Sequence, residues 1–312
     1  MFGNFMIGFN AVMPMLIYML FGQFFAQAGM IKQESFQDFN KALFKILLPI
    51  NLFTNIYKSD FKQSFNGYAL TYILVIALTL YFMLAFIIPR VSDDRPRYGV
   101  MLQGSVRANA ILFGLPLGTS LLGEENMGMV TITLAIIVPF WNIMSVVGFS
   151  LYSEDKVSFK QMGRSIVTNP MVIATFIGLI VVLLGLHFPE AINTSLTNIN
   201  RMVSPLALMV MGGTFSFKLK DVDFALIFTV ANKLIIIPLI GITLGAILGF
   251  RGDAIVSILI AFAGPTAVSS YAQAIVADGD GDLANQTVVF TTIFSMITLV
   301  FLITLMKTFG LF

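Results

Sequence analysis

Runs of about twenty apolar residues recur from one end of this chain to the other. As an α-helix, a run of that length matches the hydrocarbon thickness of a lipid bilayer. Hydrophobic residues make up 57% of the 312 residues and charged residues only 11%, whereas a soluble domain carries about 25% charged residues. The sequence therefore predicts an all-α membrane protein that lies in the lipid bilayer.

Ten transmembrane helices are predicted, joined by short connections that hold most of the charge. Their ranges are 5–28, 36–57, 67–89, 98–122, 127–151, 165–186, 191–216, 222–249, 253–277 and 283–308. Basic loop residues set the orientation of such a protein, because cytoplasmic loops carry more of them. The larger set comprises Lys32, Lys41, Arg90, Arg95, Arg97, Lys156, Lys160, Arg164, Lys218 and Lys220, and the smaller set comprises Lys58, Lys62, Arg251 and Lys307. This difference predicts a cell-membrane protein with both termini outside.

Short stretches recur in the two halves of the chain. "PMLIYMLFG" at 14–22 and "PMVIATFIG" at 170–178 share Pro, Met, Ile and Gly at the same offsets, 156 residues apart. The same shift carries Pro49 onto Pro205. One interpretation is that the chain is an internal repeat, and the alternative is that prolines are simply common in membrane helices.

An internal repeat divides the chain into five-helix units at 1–152 and 153–312. Because five is odd, the second unit enters the membrane from the side opposite to the first. Inverted repeats of this kind are typical of secondary transporters.

Two predicted helices carry a break at matching places. Gly114 and Pro116 interrupt the fourth span, and Gly264 and Pro265 interrupt the ninth. Proline removes a backbone donor and clashes with the preceding turn, while glycine eases unwinding. The freed backbone groups must be paired inside the protein or line a wet cavity. The alternative is a packed kink that binds no ligand.

Two cations lie deep in predicted spans. Arg107 lies about ten residues into the fourth span, or about 15 Å at 1.5 Å per residue, and Lys233 lies in the eighth. All sixteen Asp and Glu residues fall in loops or at span ends by this assignment. A buried cation without a counter-ion needs another partner, and a carboxylate substrate would supply it. The alternatives are that Arg107 snorkels or caps a carbonyl, and that Lys233 replaces a coupling cation structurally.

The other predicted substrate-binding residues are polar side chains near the breaks. They are Asn51, Asn109, Thr266, Ser269, Ser270 and Tyr271, and further polar residues nearby are Asn55, Thr119, Ser120, Asn142 and Gln273. The chain has no cysteine and one histidine, placed in a predicted loop. We therefore expect no metal site, no cofactor and no enzymatic activity, and the net charge of +2 gives no indication of a nucleic-acid partner.

Five stretches together resemble the auxin efflux carrier family, in its bacterial branch of malate and malonate permeases, and are similar to plant PIN-type carriers. These are "LLPINLF", "RANAILFGLPLG", "TNPMVIA", "VSPLALMVMGG" and "AGPTAVSSYAQA". The resemblance covers essentially the whole chain. It implies that helices 4 and 9 cross at Pro116 and Pro265, with Asn109 as the nearby polar group. It also implies a scaffold of spans 1, 2, 6 and 7, a transport unit of spans 3–5 and 8–10, and a homodimer.

These observations predict a secondary transporter of small organic anions that works by alternating access. Malate or a related dicarboxylate is the leading candidate, and the absence of a long hydrophilic loop between spans 5 and 6 speaks against auxin itself. The coupling ion, H⁺ or Na⁺, stays open. A sodium-coupled organic-anion symporter of similar fold and an anion channel are the alternatives.

Overall fold

The computed structural model describes residues 2–58, 65–152, 167–168, 170–214 and 222–312. Within that part every regular element is a helix, and the only strand-like pairing is one isolated bridge. The predicted all-α class is confirmed.

The helices follow one another with short connections. They are α1 Phe2–Gln27, α2 Gln33–Ala42, α3 Leu48–Lys58, α4 Gly67–Ile87, α5 Arg95–Val106, α6 Gly114–Leu122, α7 Gly128–Tyr152, α8 Pro170–Leu183, α9 Glu190–Thr214, α10 Phe224–Ala231, α11 Ile237–Ile247, α12 Asp253–Ala263, α13 Ser269–Val276 and α14 Gly281–Thr308. Two π-helical turns make continuous helices of neighbouring segments: Leu43–Leu47 joins α2 to α3, and Asn232–Ile236 joins α10 to α11.

Within the described part of the chain, five helical stretches are long and apolar enough to cross a membrane. They are Phe2–Gln27, Gly67–Arg90, Gly128–Tyr152, Phe224–Ile247 and Gly281–Thr308. Large apolar side chains cover the outside of these helices, as Phe82 and Phe86 do on α4. Such a surface is unfavourable in water and suits hydrocarbon.

The helices pack as two groups. The first group comprises α1, α2, α3, α8 and α9, with α1 on α9 and α8 on α3 as its main contacts. The second group comprises α4 to α7 and α10 to α14, with α12 packed on α6, α7 and α11. The main contact between the groups is α1 on α14.

Helices α1 and α9 approach each other backbone to backbone. A Cβ atom added at Gly22 would lie 1.8 Å from the carbonyl oxygen of Met209, and one at Gly212 would lie 2.0 Å from that of Met19. A residue larger than glycine would clash with the backbone of the other helix at either position. The two glycines therefore allow the close approach of α1 and α9.

Arg97 ties three helix starts of the second group together. Its guanidinium contacts Asp223 at 2.5 Å and Asp280 at 3.1 Å. These two aspartates are the N-caps of α10 and α14, and Arg97 itself lies in the first turn of α5. The three helices therefore begin from one charged cluster.

Several sequence predictions fall outside the described residues. The proposed boundary between the halves lies at 152–153, where the described part is interrupted. The basic loop residues concerned are Lys62, Lys156, Lys160, Arg164, Lys218 and Lys220.

Candidate functional site

Two broken helices cross in the second group. Helix α5 ends at Val106 and α12 ends at Ala263, and extended backbone follows each of them. Ala108 and Thr266 form an isolated antiparallel bridge at the crossing.

Two backbone hydrogen bonds flank this bridge. The N–H of Asn109 donates to the carbonyl of Pro265 at 2.6 Å, and the N–H of Ala267 donates to the carbonyl of Arg107 at 3.2 Å. Each break thus satisfies backbone groups that the other leaves free, as buried backbone requires.

The two prolines predicted at the crossing occupy different places. Pro265 lies within the second break, directly after Gly264. Pro116 is instead the third residue of α6, which begins at Gly114. A proline in a first turn costs no hydrogen bond, so the first break comprises the residues before Gly114 rather than Pro116 itself. Gly114 has a packing role, because a Cβ there would lie 2.4 Å from Ile260 Cγ2.

Thr266 holds the crossing to the surrounding helices. Its hydroxyl donates to the carbonyl of Gly104 at 2.7 Å, and its N–H donates to the hydroxyl of Thr291 at 3.0 Å. It lines neither of the two cavities described below. In the structure this predicted binding residue therefore stabilises the crossing through its hydrogen bonds to neighbouring helices.

Arg107, the first residue after α5, is 6% exposed and is surrounded by neutral groups. Its Nη2 donates to Asn142 Oδ1 at 2.7 Å, and its Nη1 donates to Ser145 Oγ at 3.2 Å and to Gln273 Oε1. Gln273 also accepts from Gln103. Among the described residues no carboxylate forms an ion pair with Arg107.

A cavity of about 550 Å³ lies beside the crossing, and we call it the crossing cavity. Polar or charged side chains from four different parts of the fold line it, among them Lys45, Arg107, Asn109, Asn142 and Gln273. Ser269, at the start of α13, is a further lining residue. The volume lies in the range of about 300–1,000 Å³ that small-molecule sites occupy. Three predicted binding residues, Arg107, Asn109 and Ser269, therefore share one cavity.

Lys233 lies in the π-helical turn between α10 and α11. It is 0% exposed, and its Nζ donates to the carbonyls of Val106 at 3.2 Å and Phe262 at 3.1 Å. It lines neither cavity described here. The two deep cations of the sequence thus have different surroundings.

A second cavity of about 310 Å³ is lined in part by α6. Asn51 lines it, donating to the carbonyl of Asn200 at 3.2 Å and accepting from Asn55 at 3.3 Å. At its rim Arg201 forms a bidentate ion pair with Glu124, with both distances 3.1 Å. Hydrogen bonds from Arg201 hold the pKa of Glu124 below its usual value. This pair joins α9 of the first group to the loop between α6 and α7 in the second.

The last two predicted binding residues line neither cavity. Ser270 is buried in α13, and Tyr271 beside it is 43% exposed. Nothing in the described part of the chain gathers three or more His, Cys, Asp or Glu residues as a metal site requires.

Lys45 is a site residue that the sequence prediction missed. It lies ten residues into the predicted second span, at a depth similar to that of Arg107. Applying the same depth criterion to every cation would have found it. Gln103 and Ser145 were also missed, and their only signal is that they are polar residues inside apolar spans.

Comparison with known families gives one match. A family model described as membrane transport protein matches residues 7–303, a range that includes both breaks and both cavities. Comparison with the curated proteins gives no match.

Proposed function

Because the chain belongs to the membrane transport protein family, we propose that it carries small organic anions, and that their carboxylate binds Arg107 in the crossing cavity. Membership confirms the resemblance to the auxin efflux carriers. The family match and the apolar helices together make this a multi-pass protein embedded in a membrane. The family consists of transporters, which is consistent with the expectation that the chain is not an enzyme.

The neutral surroundings of the buried Arg107 guanidinium support this proposal most directly. A buried guanidinium normally has a carboxylate or phosphate partner, and this one has three neutral side chains. Its positive charge is therefore oriented at the edge of a cavity without being neutralised by the described residues. A carboxylate that enters the cavity gains a planar, bidentate partner.

Lys45 supports a substrate with two carboxylates. It is exposed to the same cavity and forms no ion pair among the described residues. Two cations that line one cavity match two negative charges, so malate or a related dicarboxylate fits better than a monocarboxylate. Asn109, Asn142 and Ser269 add neutral hydrogen-bonding groups for a hydroxyl or the second oxygen of a carboxylate.

The proposed architecture is ten transmembrane helices in two inverted five-helix repeats, 1–152 and 153–312. The first packing group corresponds to the proposed scaffold and the second to the proposed transport unit. Each proposed five-helix repeat contributes one broken helix to the crossing, as transporters of inverted topology do. A homodimer formed through the scaffold, in the cell membrane with both termini outside, belongs to the same proposal.

Alternating access is the mechanism that this arrangement supports best. The crossing cavity reaches Thr168 and Pro170, at the end of the bundle predicted to be cytoplasmic. The second cavity reaches Lys58 and Glu124, at the end predicted to be outside. Movement of the second packing group against the first would open one cavity as it closes the other. The ion pair between Glu124 and Arg201 joins the two groups at the outer end.

The test is counterflow in proteoliposomes loaded with unlabelled L-malate. We expect the protein to accumulate labelled malate, and we expect succinate and malonate to compete better than lactate or acetate. Arg107→Gln, which keeps hydrogen-bonding capacity without charge, should lower the apparent affinity for malate by about 10- to 100-fold, the loss typical of a charged hydrogen-bonding partner.

Arg251→Gln is the matched control, because Arg251 lies at a helix connection and lines neither cavity. It should leave counterflow unchanged. Equal loss in both variants would remove Arg107 from the site. Malate flux without accumulation would indicate a pore, and accumulation that needs sodium would indicate the sodium-coupled symporter.

A further inference from the structure

Lys233 joins the ends of both broken helices. Its ammonium group donates to the carbonyl of Val106, the last residue of α5, and to that of Phe262, one residue before the end of α12. One side chain therefore contacts the C-terminal turns of two helices that belong to different predicted repeats. It comes from the π-helical turn Asn232–Ile236, and π-helical turns are frequent at functional sites.

These two helix ends carry negative partial charge. The last carbonyls of a helix have no partner within it, and the aligned peptide dipoles add about half a negative charge at the C-terminus. In the interior of a membrane protein, where no bulk water screens charge, two such ends in close contact repel each other. A cation between them removes the repulsion and satisfies both carbonyls.

Secondary transporters often meet this requirement with a coupling cation. Unwound carbonyls and half-helix C-termini are the groups that hold Na⁺ in carriers of this architecture. In this protein, helices α5, α12 and α14 pack against the π-helical turn. Their acidic residues are confined to first turns, at Asp253 and Asp282, far from the ends that Lys233 contacts.

We propose that Lys233 is the resident cation of the crossing: its ammonium group occupies the position of a coupling sodium ion between the two helix ends, so the crossing forms and the carrier works without sodium. Lys233 is then a positioning residue, and Arg107 remains the residue that meets the substrate. The sodium independence of transport rests on the proposed carrier function, whereas the stability of the crossing does not.

Thermal unfolding of the purified protein, without any substrate, tests the proposal directly. The wild-type protein should unfold at the same temperature in sodium chloride and in N-methyl-D-glucamine chloride. Lys233→Met fills the same space with no donor and no charge, and it should lower the midpoint by about 5 °C or more in either salt.

Lys233→Ala supplies the complementary measurement, because it leaves space for a small cation. Its midpoint should also be low in N-methyl-D-glucamine chloride and should rise with the concentration of sodium or methylammonium. Lys233→Met should show no such rise. A saturable increase of the wild-type midpoint with sodium would overturn the proposal, as would a Lys233→Met protein as stable as the wild type or an alanine variant indifferent to both cations.

Counterflow of L-malate provides the second arm. Exchange by the wild-type protein should be equally fast with and without sodium on both sides of the membrane, and a requirement for sodium would overturn the inference. If the wild-type protein exchanges no anion at all, the proposed function fails. In that case the unfolding measurements still decide the role of Lys233.

Discussion

Arg107 and Lys233 look alike in the sequence but differ in the folded protein. Each is a lone cation deep in an apolar span. Arg107 is held by three neutral side chains at the wall of a large cavity, whereas Lys233 is held by two backbone carbonyls and lines neither cavity. The partners of a buried charge therefore decide whether it serves a ligand or the fold.

Replacing Arg107 and Lys233 by methionine in two separate variants is the strongest test of this difference. Lys233→Met leaves two buried carbonyls without a donor, at about 1–3 kcal/mol each, so we expect a large loss of stability together with loss of transport. Arg107→Met should abolish malate counterflow with a smaller loss of stability, because Asn142 and Gln273 line the cavity and can bind water there. Thermal unfolding and counterflow on both variants check this, and equal destabilisation would contradict it.

Giving Arg107 a permanent counter-ion should also abolish transport, but by the opposite route. Asn142→Asp is nearly isosteric and places a carboxylate oxygen where Oδ1 now lies, 2.7 Å from Nη2. We expect a more stable protein whose apparent affinity for malate falls by about tenfold or more, since the substrate must displace an internal carboxylate.

Asn198→Asp is the control for that change, because Asn198 is exposed on α9 and adds the same charge away from the cavity. It should alter neither the unfolding temperature nor counterflow appreciably. If Asn142→Asp transports malate as well as the wild type does, Arg107 does not meet the substrate.

Lys45→Gln tests the second charge of the substrate. We expect the apparent affinity for malate to fall by about 3- to 10-fold, in keeping with the weaker effect of an exposed cation, while competition by lactate stays unchanged. Competition curves for the two acids against labelled malate measure this. A parallel loss for both acids would show that Lys45 does not distinguish dicarboxylates.

Glu124→Gln should have the smallest effect. It removes the ion pair with Arg201, but both side chains are more than half exposed, and such pairs contribute little. We expect transport rates within about twofold of the wild type. Because the pKa of Glu124 is lowered, the pair contributes above the usual carboxyl pKa and is lost as pH falls through the lowered pKa. The difference between variant and wild type should therefore vanish in acid.

Much of the fold could be predicted from the sequence, because helix length and hydropathy are local properties. The all-α class and the existence of two breaks followed from apolar runs, glycines and prolines. The location of the first break did not, since Pro116 is compatible with the first turn of α6 and only the pairing of Ala108 with Thr266 fixes where the chain is extended.

Only part of the candidate site could be predicted from the sequence. Residue type and depth singled out Arg107, and the same criterion would have identified Lys45. The surroundings of Lys233 could not be read, because its partners are backbone carbonyls of Val106 and Phe262, and every residue has a carbonyl. Thr266 and Asn51 were predicted as substrate-binding residues, and the structure shows both buried and hydrogen-bonded to neighbouring helices. The local sequence does not reveal whether such a polar side chain faces a cavity or a neighbouring helix.

The bridge between Ala108 and Thr266 has a consequence for how such proteins diversify. Its hydrogen bonds join main-chain atoms, so the pairing does not depend on which side chains line the cavity beside it. The cavity lining, by contrast, consists of side chains that are free to change one at a time. New cargo can therefore be acquired by altering a handful of positions while the crossing itself is inherited intact.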